Sequence, residues 1–362
     1  MKRLLKWLPA VVAPVVVAGA VAAPAFANGL SGASTSTPSA AQVLALIAKA
    51  KDAHYSGSIE QTSDLGLPEL PSGALGNTGS SGSSSAQASS ILELLTALHK
   101  AQVYVDGHGK QRIQVLDSLA ERDVVRNGTD LWTWDSKTNK AVHVKLPSKT
   151  ATHDGASGTP TTTPQSLADR LVQNASKTST LTVSKGSVAS HDVWRLTITP
   201  KTADTLVGKA VLSVETKTGV PLAAEIDARG QKTPAVSVAF TRVDFGTPAA
   251  SNFTFTPPKG AKVTQKTLPP HGSHPDNRVP GSFEGPTVIG SGWTSIVAVP
   301  AGSLGAGMSG LTAGQSQLLN ELTQSVDGGR GLQTSLFSVL ITSDGRAYAG
   351  AVPLSALESA AK

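Results

Sequence analysis

The chain has 362 residues, no cysteine and a formal net charge of +6. Its length predicts about two domains, and the lack of cysteine excludes disulfides, so apolar cores must hold the fold. Charged residues make up 15% and aromatic residues 4% of the chain, a composition that favours β-rich structure with long irregular segments over a helical bundle.

The first residues predict export. Three basic residues precede an apolar run, and the small residues Ala25 and Ala27 offer a cleavage site, so residues 1–27 are predicted to be a signal peptide that is removed before Asn28. An uncleaved membrane anchor is the rival interpretation, but the cleavage site and the polar residues that follow it favour cleavage.

Loss of the signal peptide changes the charge balance. It removes three of the 31 basic residues and leaves 28 against 25 acidic residues, a charge of +3. No basic run interleaved with aromatic residues occurs, so nucleic-acid binding is not supported. Without cysteine a lipid anchor is excluded, and the mature protein is expected to be soluble in the periplasm or extracytoplasmic cell envelope.

The mature chain is expected to begin with a flexible leader at 28–38 and a helix at 39–53. Apolar residues recur at helical spacing from Val43 to Ala50, and Ser39 can cap the helix.

Residues 54–63 predict the first strand. The Gly/Ser-rich segment 66–90 predicts a disordered insertion, and residues 91–100 predict a short helix or the edge of the next element.

Period-two alternation then predicts strands through residue 146. Asp106-Gly107 and Asn127-Gly128 are hairpin turns in this stretch. Residues 147–163 are polar and loop-like, and 164–176 predict a second short helix with Pro164 in its first turn.

A second series of antiparallel strands follows that helix. These strands are predicted at 180–185, 191–199, 208–217, 220–228, 233–246 and 251–256.

These elements predict a mainly β (α+β) fold of about eleven strands, nearly all antiparallel neighbours, in which the sheet buries one face and curls. Alternating apolar residues would line its interior, and the pattern leaves open which alternate set faces inward. The candidates for an apolar cavity are Val103, Val105, Ile113, Val115, Trp132, Trp134, Leu196, Ile198, Leu212, Val214, Val236 and Val238.

A proline-rich linker at 265–286 predicts a boundary between residues 39–264 and a small C-terminal α+β domain at 287–362. The small domain is predicted to contain a helix at 312–326, a hairpin that turns at Asp344-Gly345, and a terminal helix. A domain of this size is marginal alone and is expected to dock on something.

No catalytic constellation stands out. Lys217-Thr218-Gly219 matches one penicillin-binding motif, but the partner motifs are missing and a hairpin turn is expected there. His271 and His274 lie in the linker without further metal ligands. The sequence therefore predicts a binding protein rather than an enzyme, with no cofactor and no metal. An apolar cavity would take acyl chains at about 0.8 kcal/mol per CH₂, whereas the alternative is that these residues fill a core.

Two motifs resemble the LolA superfamily of periplasmic lipoprotein carriers. They are "NFTFTPPKGAKV" at 252–263, similar to the family's closing strand, and "VVRNGTDLWTWDSKTNKAVHVKL" at 124–146. The resemblance spans about 39–264 and implies an unclosed half-barrel of about eleven strands, with a helical lid over an apolar cavity. The helices at 39–53 and 164–176 are the lid candidates. Many carriers have Lys-Arg-Pro where this chain has Asp106-Gly107-His108, which puts the family's Arg–lid contact in doubt.

The two-domain outline also resembles the RseB/MucB sensors, which bind an anti-sigma factor in the periplasm. Lipid carriers of actinobacterial cell envelopes share the first domain, and the Ala/Gly/Ser/Thr-rich composition suits such an organism. The resemblance implies a carrier whose partner is a lipid or an acylated lipoprotein. The alternatives are a regulator whose 287–362 domain binds a membrane-anchored anti-sigma factor or receptor, and a structural or adhesin-like envelope domain with a filled core.

Overall fold

The computed structural model describes residues 37–67, 99–117, 120–146, 175–267, 286–301 and 322–362. The predicted signal peptide and insertion lie outside these ranges, as does most of the helix predicted at 164–176. Its last two residues belong to a described helical stretch at 175–178. Among the described residues, no helix is long and apolar enough to cross a membrane.

Twelve strands form one large sheet in the spatial order β12-β6-β5-β4-β3-β2-β1-β11-β10-β9-β8-β7. In chain order the strands are β1 His54–Ser63, β2 His99–Asp106, β3 Lys110–Asp117, β4 Ala120–Asn127, β5 Asp130–Asp135, β6 Lys140–Lys145, β7 Ser179–Val188, β8 His191–Pro200, β9 Val207–Glu215, β10 Pro221–Ala228, β11 Val236–Asp244 and β12 Lys262–Thr267.

The large sheet is open, because β12 and β7 are its two edges. Its first eleven strands pair only antiparallel, through short turns such as that at Asn127-Gly128, where Gly128 takes a φ of 61°. The predicted unclosed, mainly β fold is confirmed. The structure adds one strand, β12, which pairs parallel with β6.

Helix α1, Ala40–Lys49, begins where the sequence predicts. The Ser39 hydroxyl accepts a hydrogen bond from the Gln42 N–H at 3.2 Å, and the Gln42 side chain accepts one from the Ser39 N–H at 2.7 Å. These two bonds satisfy free donors at the helix start. A 3-10 turn at Ala50–Asp52 then leads into β1.

The closing strand predicted at 251–256 is wrong. Residues Ala250–Phe253 form a 3-10 helix, and strand pairing resumes only at β12, beyond Pro257 and Pro258. The reason is topological: β11 already pairs with β1 and β10, so the chain after β11 finds no neighbouring edge. It crosses one face of the sheet instead and reaches the free edge of β6, where its direction is parallel.

The small C-terminal unit is a six-stranded sheet with a terminal helix. Its spatial order is β13-β14-β18-β17-β16-β15. The elements are β13 Thr287–Ile289, β14 Ile296–Val299, β15 Gln324–Val326, β16 Gly329–Gln333, β17 Ser338–Thr342, β18 Ala347–Gly350 and helix α2 Leu354–Ala361. Leu340 and Leu357, both fully buried, centre its core.

One predicted helix ends in a strand. The helix predicted at 312–326 lies mostly outside the described residues, but its last three residues form β15, because Asp327-Gly328 turns the chain into a hairpin with β16. Residues 91–100 are predicted to be either a short helix or the edge of the next element, and the described part agrees with the second alternative, since β2 begins at His99.

The small unit docks on one end of the large sheet through an apolar cluster, here called the joint. Residues from both units are buried together or packed against that cluster. The joint comprises Leu65, Leu67, Val207, Ile226, Ala228, Ala235 and Val236 from the large sheet side, and Trp293, Leu336, Phe337 and Ala351 from the small unit.

Candidate functional site

The register of the large sheet separates its two faces. Residues directly opposite each other in a ladder point to the same side. Helix α1 packs Val43 against Leu196 and Val214, so the face that carries these two residues is called the α1 face. Following the pairings from strand to strand assigns every ladder residue to the α1 face or to the opposite face.

Ten of the twelve predicted cavity residues share the α1 face. Leu196 pairs with Leu212, and Val103 pairs with Ile113, which fixes the faces of β8, β9, β2 and β3. The ten are Val103, Val105, Ile113, Val115, Leu196, Ile198, Leu212, Val214, Val236 and Val238.

Trp132 and Trp134 lie on the opposite face, away from the other ten. They pair with Val125 and Asp123, whereas the α1-face position between them is Thr133. Both indoles pack under the crossing segment after β11, with ring centroids 5.4 Å and 6.3 Å from that of Phe255. The structure therefore does not bring the tryptophans and the aliphatic candidates into one site.

The ten residues differ in how deeply they are buried. Val214 is 0% and Leu196 2% exposed beneath α1. Val103 and Val105 belong to a core with Tyr55. The others, except Val236, are only half-buried, and they form the accessible part of the α1 face.

Polar groups divide unequally between the faces. In the middle of β8–β11 the α1 face presents only apolar side chains, and Leu212, Ala224 and Val238 form one row across three strands. The opposite face of these four strands carries the ion pairs Arg195–Glu225 at 3.1 Å and Lys209–Asp227 at 3.0 Å.

Sequence reasoning missed Ala224 and Phe240, which lie on the same face. Ala224 is too small to stand out as a cavity residue, but the turn at Thr218-Gly219 sets the register that pairs it with Leu212. Phe240 is buried with Tyr55 in the core that bounds this face. Counting outward from the turn would have found Ala224.

A buried apolar core around Tyr55 and Phe240 bounds the α1 face. Burial raises the pKa of Tyr55 to about 12, and its ring packs edge-on against Phe240 with centroids 6.0 Å apart. Glu215 lies nearby on β9, and its carboxylate accepts hydrogen bonds from the Lys217 and Thr218 N–H groups at 2.9 and 2.6 Å.

One polar cluster is buried on the opposite face. Burial raises the pKa of Asp123, and the hydrogen bond from Arg112 opposes that shift. Asp123 Oδ1, Arg112 Nε and Trp134 Nε1 are buried without a hydrogen-bond partner. Because this cluster lies across the sheet from the apolar row, it is not part of the candidate site.

The remaining features give little chemistry. Within the described residues, no group of three His, Asp or Glu side chains could hold a metal ion. A polar cleft of about 400 Å³ lies where the two units meet. It is lined by Lys177, Thr178, Lys201, Thr202 and Asp204 of the large unit and by Ser291, Trp293 and Thr294 of the small one.

No protein-family model and no curated protein matches the sequence. Solved structures match the fold. The MucA/MucB complex of Pseudomonas aeruginosa is 15% identical, with a TM-score of 0.42, over 88% of this chain and 96% of the matched chain. A LolA superfamily protein of Nitrosomonas europaea is 13% identical, with a TM-score of 0.24, over 61% of this chain and 99% of that one.

A putative outer membrane lipoprotein-sorting protein domain from Vibrio parahaemolyticus is 12% identical, with a TM-score of 0.22, over 59% of this chain and 97% of the other. At such identities and TM-scores the likeness assigns no function to this chain.

Proposed function

We propose that this protein is an exported, non-enzymatic carrier that holds acyl chains of a lipid or lipoprotein on the α1 face of its large sheet. The observation that carries the proposal is the unequal division of polar groups between the two faces. The row of Leu212, Ala224 and Val238 is apolar and half-buried, while the ion pairs lie on the other side.

Acyl chains fit such a surface for a physical reason. Methylene groups need no hydrogen-bond partner, and burying each one releases about 0.8 kcal/mol. A long chain laid across several strands therefore gains affinity by contact area alone, without directional groups on the protein. The signal peptide expected at 1–27, and helix α1 beside the row as one lid, agree with this role.

The test compares two neighbouring positions on β11. Val238 lies on the α1 face and Ala239 on the opposite face, and both are half-buried. We expect Val238→Gln to lower the amount of lipid that co-purifies with the exported protein, and the affinity for palmitate, by about tenfold. Ala239→Gln is the matched control and should leave both unchanged.

Native mass spectrometry and displacement of a fluorescent fatty acid give the two readouts. Equal loss in both variants would mean that the face assignment is wrong. A well-folded wild-type protein that carries no lipid and binds no palmitate would contradict the carrier function itself and favour a filled structural domain.

The cleft between the units favours a second candidate, a regulator that binds a membrane-anchored partner such as an anti-sigma factor. Both units line this cleft, and Trp293 and Lys201 border it. Lys201→Glu in the full chain should abolish cross-linking to a single-pass membrane protein without changing lipid loading, while Lys232→Glu at an exposed control lysine should not. Equal cross-linking by both variants would contradict a role for the cleft.

A further inference from the structure

The small unit reaches the α1 face itself. Ile226 and Val236 are directly paired on that face, one position along from the apolar row. Both belong to the joint, together with Leu336 and Phe337 of the small unit. Side chains of the small unit therefore pack against the same face on which the acyl chain is proposed to lie.

Hydrogen bonds hold the small unit in this position. The Thr205 hydroxyl and the Leu206 N–H both donate to the Ala351 carbonyl, at 2.7 and 2.9 Å. On the other side of the joint, the Ser335 N–H donates to the Leu65 carbonyl at 3.0 Å. Contacts on both sides hold Leu336 and Phe337 in the apolar centre of the joint.

The opposite boundary of the row is the core around Tyr55 and Phe240. On β11 the joint ends at Val236 and this core includes Phe240, with Val238 midway. The two boundaries are about 13 Å apart along the strand, at about 3.3 Å per residue. The accessible part of the α1 face is thus a bounded strip rather than an open sheet surface.

We propose that the small unit is one wall of the acyl-chain site, and that Phe337 with Leu336 limits the size of the lipid that the site accepts. This inference rests on the carrier function proposed above. Leu336 is 8% exposed and fills the joint, whereas Phe337 is only partly buried and is the member that can face a ligand. On this proposal the small unit determines which acyl-chain lengths the large sheet can bind.

The experiment measures affinity against chain length. The full-length mature protein is titrated with saturated fatty acids from decanoate to eicosanoate by displacement of a fluorescent fatty acid. Phe337→Ala should move the best-bound chain to one about two methylene groups longer, and raise the affinity for that longer acid about tenfold. Leu332→Ala, in the same unit but outside the joint, is the control and should keep the wild-type optimum.

Phe337→Leu removes less side-chain volume and replaces the alanine variant if that variant folds poorly. The chain length that Phe337→Leu binds best should lie between those of the wild type and Phe337→Ala. An unchanged optimum in folded Phe337→Ala, with fatty acids still bound, overturns the wall and leaves the carrier function intact. A loss of affinity by the same factor for fatty acids of every chain length also overturns the wall. A wild-type protein that binds none of the acids overturns the carrier function and the wall together.

Discussion

At the residue scale, Glu215 shows how a buried charge can serve a turn rather than a reaction. It is 4% exposed, and its Oε2 accepts hydrogen bonds from two N–H groups and the hydroxyl of the Thr218 turn. That turn places Gly219 at a φ of 76°, where a Cβ would lie 2.1 Å from the Leu46 carbonyl of α1. The carboxylate thereby fixes the contact between β9–β10 and the helix.

Glu215→Gln should lower the free energy of unfolding by about 1–2 kcal/mol at neutral pH, because charge-assisted hydrogen bonds are lost. Urea denaturation measures the change. Glu225→Gln removes a partly exposed ion pair with Arg195 and should cost less than about 1 kcal/mol. A larger loss from Glu225→Gln than from Glu215→Gln would contradict this account.

The pH dependence follows from the same site. Burial raises the pKa of Glu215, but the hydrogen bonds from Thr218 and Lys217 outweigh it and leave the pKa below the ordinary 4.5. A lowered pKa stabilises the fold above the unfolded-state pKa and loses that effect as the pH falls through the folded-state pKa. The stability difference between wild type and Glu215→Gln should therefore shrink below about pH 4.5.

At the element scale, the sequence predicts well whatever is local. Asn127-Gly128 and Thr218-Gly219 mark hairpins because glycine there takes a positive φ, and the structure places turns at both. The helix at Ser39 is equally local, since its cap and stripe lie within a few residues. These elements require no knowledge of distant partners.

The misassigned elements depend on distant partners. Phe253 and Phe255 alternate like strand residues, yet they line one pocket with Val125 and Trp132 on the face opposite α1, and β12 forms only because β6 has a free edge. Pro257 and Pro258 mark the bend before that strand instead of the end of the sheet. Periodicity reports which side chains are buried and does not report what buries them.

The candidate site shows the same limit. Alternation selects apolar residues on β8, β9 and β11 correctly as one set, because paired strands with tight turns keep their register. It cannot tell that Trp132 and Trp134 belong to the other face, since both alternate sets of β5 contain apolar residues, the two tryptophans in one and Leu131 in the other. The face is decided by pairing through β4 and β3 back to Val103.

At the scale of the whole molecule, composition and length predict two units but not how they meet. The proline-rich segment suggests a hinge, whereas the joint buries apolar side chains from both units and adds main-chain hydrogen bonds on two sides. Leu336 at 8% and Ala235 at 0% exposure would become solvent-accessible if the units separated. Burial of this kind makes the stability of each unit depend on the other.

The two units should therefore unfold together. Calorimetry of the mature protein is expected to show one transition with equal calorimetric and van't Hoff enthalpies. Leu336→Asp places a charge in the joint, and burying that charge costs several kcal/mol unless the units separate. The Leu336→Asp variant should therefore show two transitions, with the small unit unfolding at the lower temperature. Ser325→Asp, an exposed change on the edge strand of the same unit and outside the joint, should keep one. Two transitions already in the wild type would mean that the joint is too weak to couple the units, and that the small unit cannot be a fixed wall of the site.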